Sequence, residues 1–427
     1  MINLLLLLGL FAVLLVARVP VAFAMGLASL GTLAITAQAP PIILVNRMAA
    51  SADSFILIAI PLFILTGAYM DTGGIAMRLL TLARVLVGHL RGSLGMITVV
   101  SEMFFSGISG STVADVSAMS SMMLPAMKRA DYKPAYSVSI ISAASAMGML
   151  IPPCIPMVVL APIINVSIGT LFLAGFLPAI VLAAFIMALL WVQAVQMGLP
   201  AGPRPRAREV VRGLVGALIP LTMPVIIFGG IFGGVFSPTE AAAVAALYGA
   251  LVGVFVYREL TVRKLMDLAI YTGIATGTVM LLIEAASTFS YLMAVNHLPE
   301  LMARGITAVS SAPWFFLVVN ALIFIFIGSI LEGLPALIIF VPILFPMVQS
   351  LGIDPIHYGI LVIAATGIGL FIPPAGVGLI IACSIGQVTL GEVTRPLLPF
   401  LVVLFVGLMV LTVVPWFSVS VPQLLLR

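Results

Sequence analysis

Charge is the scarcest property of this 427-residue sequence: Lys and Arg number 18, Asp and Glu 14, and charged residues make up 7% of the chain. A water-exposed domain carries roughly 25% charged residues, so a soluble globule is excluded. Cysteine is rarer still, and the two, Cys154 and Cys383, both lie in apolar segments, which gives no basis for a disulfide framework and leaves the redox compartment open. The three histidines, His89, His297 and His357, stand in no metal-ligand spacing, so no transition-metal site is expected. Neither a GxxxxGKS/T phosphate loop nor a sizeable soluble segment is present, which excludes ATP hydrolysis by this chain. No histidine is expected near mid-membrane to activate a serine or cysteine, so an enzyme is not expected either. The net charge of +4 is too small to imply nucleic acid as a partner.

Apolar residues fill 63% of the chain, enough for on the order of ten spans of ~20 residues. Stretches such as 4–16, 211–236, 268–282 and 397–414 are continuous, whereas barrel strands would alternate. The expected fold is an all-α polytopic membrane protein with the lipid bilayer as its surroundings. Spans are expected at about 2–17, 19–37, 54–76, 135–165, 171–196, 213–236, 238–257, 266–292, 356–384 and 397–418. The first is kept as a span because it lacks a basic start and a small-residue cleavage site.

Two more apolar segments, 94–125 and 313–348, are expected to be hairpins that enter and leave on one side. With an outside start, the cytoplasm then receives Arg18, Arg78, Arg84, Arg91, Lys128, Arg129, Lys133, Arg204, Arg206, Arg208, Arg212, Arg258, Arg263, Lys264 and Arg395, leaving Arg47, Arg304 and Arg427 outside. That asymmetry is the one the positive-inside rule requires; a full span at either hairpin would destroy it. Both termini are then periplasmic. Residues 198–212, rich in Pro and Arg, read as a solvated linker between halves 1–197 and 213–427.

The halves repeat one another. A constant shift of 221 residues pairs Gly107 with Gly328, Pro125 with Pro346, Pro134 with Pro355, Gly148 with Gly369 and Ile151-Pro152-Pro153 with Ile372-Pro373-Pro374. Five spans per half is an odd number, so the second copy is inverted. Inverted repeats with interrupted helices are the signature of secondary transporters, whose sites lie where the copies meet.

Chemistry concentrates at the hairpin tips and the Pro-Pro breaks. Residues 104–115 place Ser106, Gly107, Ser109, Gly110, Ser111, Thr112 and Asp115 inside an apolar segment. Backbone unwound at that depth must face protein or water, and its carbonyls, with serine hydroxyls, are hard oxygen ligands for a small cation. Close packing of small residues is the competing reading. The tandem prolines leave carbonyls around Gly148 to Ile151 and Gly369 to Ile372 without helical partners; a packing kink is the alternative. Of five acids expected at membrane depth, Asp115 and Glu332 sit at the tips, Glu240 follows Ser237 as a helix cap would, and Glu102 and Glu284 are left unassigned.

Five ordered motifs carry a resemblance: FSGISGSTVAD at 105–115, GMLIPPC at 148–154, SPTEA at 237–241, GSILEGLP at 328–335 and GLFIPPAG at 369–376. Together the chain resembles the large membrane subunit (M subunit) of TRAP, tripartite ATP-independent periplasmic, transporters. The resemblance implies an elevator-type, sodium-coupled importer of organic carboxylates in a bacterial or archaeal inner membrane, with sodium as coupling ion and no organic cofactor. It implies two partners, a small four-helix membrane subunit as a separate polypeptide and a periplasmic substrate-binding protein. Carried over by motif, one sodium site comprises Ser106, Ser109, Gly148 and Ile151, and a second Gly328, Gly369, Ile372 and Ala375. The family often has threonine where this chain has Ile372, so any hydroxyl ligand there is missing. Solute is placed near Ser111, Asp115, Cys154 and Glu332. The competing readings are a divalent-anion/sodium symporter working without a binding protein, an ion channel and a membrane enzyme.

Overall fold

A computed structural model of the chain describes residues 2–37, 39–72, 75–199, 201–310 and 312–425. Among these the fold is helical throughout, apart from one isolated bridge between Arg91 and Ala201. Among the described residues seven helices are long and apolar enough to cross a membrane, and a pair bent by 61°, Ile42–Ala52 with Phe55–Met70, makes an eighth if it is one span.

At the centre lie two interrupted helices. Pro134–Gly148 breaks and resumes as Ile155–Ile163, and Pro355–Gly369 breaks and resumes as Val377–Gly386. Each opens on proline, whose missing N–H costs nothing in the first turn, and each stops ahead of two prolines that cannot donate to the preceding turn. The first halves are buried almost residue by residue. Packing there depends on small side chains that let backbones approach: a Cβ at Gly367 would stand 2.5 Å from the Ala146 carbonyl oxygen. Beside them are two helix pairs, Ser93–Ser109 with Thr112–Arg129 and Pro313–Ile330 with Gly333–Ser350, each joined by two residues. The longer helices Ile168–Gln196, Ala207–Phe232, Val262–Val295 and Leu390–Val413 surround this centre.

Several boundaries differ from the sequence expectation. Ile42–Ala52, Ile75–Val87 and Leu298–Thr307 are helices where no span was expected. All three mix charge with apolar residues, so a search for continuous apolar runs passes over them. Arg47 stacks over the Tyr291 ring at 4.3 Å and Arg78 over Tyr257 at 3.6 Å, contacts that hold such cationic helices to their neighbours. The segment read as a linker is helical in its last part, 207–212: Ala207–Phe232 starts inside it, capped by a Glu209 carboxylate that accepts the Arg206 N–H at 2.9 Å. The last expected span stops at Val413, ahead of Pro415, and Trp416–Leu425 follows. Glu240 does cap a helix, accepting the Ser237 N–H at 2.7 Å while Ser237 Oγ accepts the Glu240 N–H at 3.3 Å.

Candidate transport site

The first hairpin turns because Gly110 adopts φ +67°, a left-handed conformation open to glycine at little cost. Ser111 is extended and caps the second leg, its hydroxyl accepting the Ala114 N–H at 3.5 Å. Asp115 then falls in the first turn of that leg, where the helix dipole favours a carboxylate. The fold-back brings the two legs' polar side chains together. Ser106 Oγ donates to Asp115 Oδ2 at 2.7 Å, and Ser109 Oγ donates to Asp115 Oδ1. Ser106 Oγ also lies 3.5 Å from Glu102 Oε1. Glu102 and Asp115 are 0% and 1% exposed, and Glu102 Oε2 has no hydrogen-bond partner among the described residues.

This cluster meets the first helix break. A Cβ at Gly148 would stand 2.4 Å from Ser106 Oγ and 3.5 Å from Glu102 Oε1, so only glycine allows the approach. A Cβ at Gly107 would meet Ile151 Cγ2 at 3.3 Å and the Pro152 carbonyl oxygen at 3.4 Å. The Gly110 carbonyl accepts the Ile155 N–H at 3.3 Å, tying the tip to the far side of the break. Ser106, Ser109, Gly148 and Ile151 therefore share one locality, joined by Glu102 and Asp115. Two buried carboxyl groups held this close repel each other when both are ionised. A cation placed among them offsets that repulsion and gives the unpartnered Glu102 oxygen a ligand. Hydroxyl, carboxylate and carbonyl oxygens are the donor set a hard monovalent cation takes, so the residues present fit sodium.

The second tip is built from backbone. A Cβ at Gly369 would stand 2.5 Å from the Ile325 carbonyl oxygen and 3.0 Å from Gly328 Cα, and one at Gly328 would stand 2.9 Å from the Thr366 carbonyl oxygen. The Gly369 and Ile372 carbonyls accept from the N–H groups of Ile372 and Gly376, both at 3.0 Å. Ala375 lies half-buried in the break itself. Applying the 221-residue shift to the first cluster replaces Glu102, Ser106, Ser109 and Asp115 by Ile323, Ile327, Ile330 and Ala336. Only Ser145, beside Glu102, keeps a hydroxyl in its counterpart Thr366, which donates to the Val362 carbonyl at 2.6 Å. The two sites are thus chemically unequal.

A cavity of about 660 Å³ opens between the tips, bounded by Ser109, Ser111 and Ala114 on one side, Glu332 and Pro335 on the other, and Thr278 and Leu282 of Val262–Val295 across from them. Of the residues expected to meet solute, Ser111 and Glu332 line it. Asp115 and Cys154 do not: Asp115 is turned back onto Ser106 and Ser109, and the buried Cys154 thiol donates to the Met149 carbonyl at 3.0 Å. Glu102, unassigned from sequence, sits in the cluster; its signal was the four-residue spacing to Ser106, which puts both on one helix face.

A sequence model of the family described as "Tripartite ATP-independent periplasmic transporter, DctM component" matches residues 8–417. The chain is 37% identical over 373 residues to the C4-dicarboxylate TRAP transporter large permease protein DctM of Pseudomonas aeruginosa, covering 87% of each chain. It is 35% identical over 413 residues to the sialic acid TRAP transporter large permease protein SiaM of Vibrio cholerae, covering 97% of each. Among solved structures, the YdaH transporter of Alcanivorax borkumensis has a similar fold, with a TM-score of 0.61 at 17% identity over 88% of each chain.

Proposed function

Because the chain belongs to the DctM family of large membrane permease components of tripartite ATP-independent periplasmic transporters, we propose that it imports an organic carboxylate by coupling to sodium, moving solute and ion together in an elevator motion. The observation that carries the coupling is the buried oxygen cluster of Glu102, Ser106, Ser109 and Asp115 against Gly148. Buried acids at membrane depth are costly unless paired or hydrated, and sodium is the partner the donor set suits.

The solute belongs in the cavity between the tips, whose volume lies in the range of small-molecule sites. Two helices, Thr112–Arg129 and Gly333–Ser350, begin at its edge, and their N-terminal N–H groups offer positive dipole ends to a carboxylate. Glu332, exposed in the same cavity, opposes a carboxylate and suits the solute's hydroxyl or ammonium groups. The relatives named for C4-dicarboxylates and sialic acid share the carboxylate and little else, in keeping with a solute chosen by a separate binding protein. Partners of two kinds complete the system: a small membrane subunit and a periplasmic substrate-binding protein.

Coupling requires that sodium and solute stabilise the same state of the tips, since a ligand shifts only an equilibrium it binds differentially. Ser106→Ala removes a hydroxyl from the cluster without adding bulk. In reconstituted vesicles with both partners, the sodium concentration for half-maximal uptake is expected to rise about tenfold, the worth of one hydrogen bond to a charged group. An unchanged sodium dependence would count against the site.

A further inference from the structure

A second cavity, also about 660 Å³, lies away from the hairpin tips. Its walls come from Ile75–Val87, from the bases of Ser93–Ser109 and Thr112–Arg129, and from residues 202–213 at the start of Ala207–Phe232. Its lining is apolar at Leu80, Ile97 and Met123. The same elements bring Arg84, Arg129 and Arg212 to it, all exposed. Among the described residues none of these three guanidiniums forms an ion pair. Glu209, the acid lining the cavity, already accepts the Arg206 N–H through Oε2. Three cationic side chains thus share one cavity with a single acid.

We propose that this cavity binds the phosphate of an anionic phospholipid, with the headgroup on Arg84, Arg129 and Arg212 and an acyl chain along Leu80, Ile97 and Met123. Guanidinium forks match phosphate oxygens in pairs, and basic pockets between membrane helices take anionic headgroups. Inorganic phosphate satisfies the arginines equally well; the apolar lining residues are what select a lipid. The inference is independent of the sodium site, because no residue of that cluster lines this cavity. The bound lipid would tether the base of the first hairpin to Ile75–Val87 and Ala207–Phe232.

The test is native mass spectrometry of the full chain after delipidation, titrated separately with phosphatidylglycerol, phosphatidylethanolamine and inorganic phosphate. The wild type is expected to retain one phosphatidylglycerol in preference to phosphatidylethanolamine. Each arginine contributes roughly fivefold, so Arg129→Gln should weaken retention about fivefold and the triple Arg84→Gln, Arg129→Gln, Arg212→Gln variant about a hundredfold. The corresponding triple lysine variant keeps the charge but not the paired guanidinium donors, and its retention should fall between that of the wild type and that of the triple glutamine variant. No preference for phosphatidylglycerol, or equal retention by Arg129→Gln and wild type, would overturn the proposal. Binding of inorganic phosphate without lipid retention would overturn the lipid assignment and leave a soluble phosphate as the ligand.

Discussion

Asp115→Asn is expected to lower sodium-dependent uptake by on the order of 100-fold while leaving the protein folded in the membrane. The substitution keeps shape and removes the charge on which Ser106 and Ser109 converge. Hydrogen bonds to a charged group are each worth roughly 1.5–3 kcal/mol, and two of them end on this carboxylate before any cation is counted. The Ser111 cap and the Gly110 turn, which shape the tip, are left intact. Sodium titration by calorimetry should show the loss directly, with far-ultraviolet circular dichroism unchanged. Wild-type sodium affinity in the variant would remove Asp115 from the cation site and return it to a purely structural role.

Gly67→Ala is the second large effect. Helix Ala59–Thr72 passes the first hairpin tip so closely that a Cβ at Gly67 would stand 2.4 Å from the Ser109 carbonyl oxygen and 3.0 Å from Ser109 Cα. The obstacle is backbone, so no side-chain rotation relieves it. Overpacking of this kind costs about 1–3 kcal/mol, which lowers the population of the arrangement seen here by roughly 5- to 150-fold relative to one in which tip and helix have separated. Uptake in reconstituted vesicles is expected to fall at least about fivefold. Gly216→Ala, which adds its methyl to open space, should leave uptake unchanged. If the two variants behave alike, the contact at Gly67 plays no part in the transport cycle.

The parts of the fold visible in the sequence are those in which one residue type forces a backbone event. Ile151-Pro152-Pro153 and Ile372-Pro373-Pro374 mark the helix breaks because proline lacks the donor a helix needs. Ser237 and Glu240 announce a cap by their three-residue spacing. Where apolar and charged residues mix, as in Ile75–Val87 and Leu298–Thr307, the sequence offered no uninterrupted run to follow.

The site was half visible for a similar reason. Ser106, Ser109 and Gly148 follow from unwound backbone and close approach, but whether Asp115 faces the cavity or the serines depends on how the second leg folds back over nine residues, which is a tertiary question. The inequality of the two tips was present in the sequence, since Ile327 and Ala336 stand where Ser106 and Asp115 stand in the first copy. Glycine and proline carry the correspondence between the halves because they set backbone shape; the polar side chains between them do not, and they differ.

The proposed function stands or falls on whether sodium drives transport through the first hairpin cluster. The most direct measurement is uptake by vesicles containing this chain with its small membrane subunit and binding protein, under sodium and proton gradients imposed one at a time. Uphill accumulation of a carboxylate solute is expected with an inward sodium gradient alone, and none with a proton gradient in sodium-free medium. Accumulation that follows the proton gradient in the absence of sodium would contradict the proposed function.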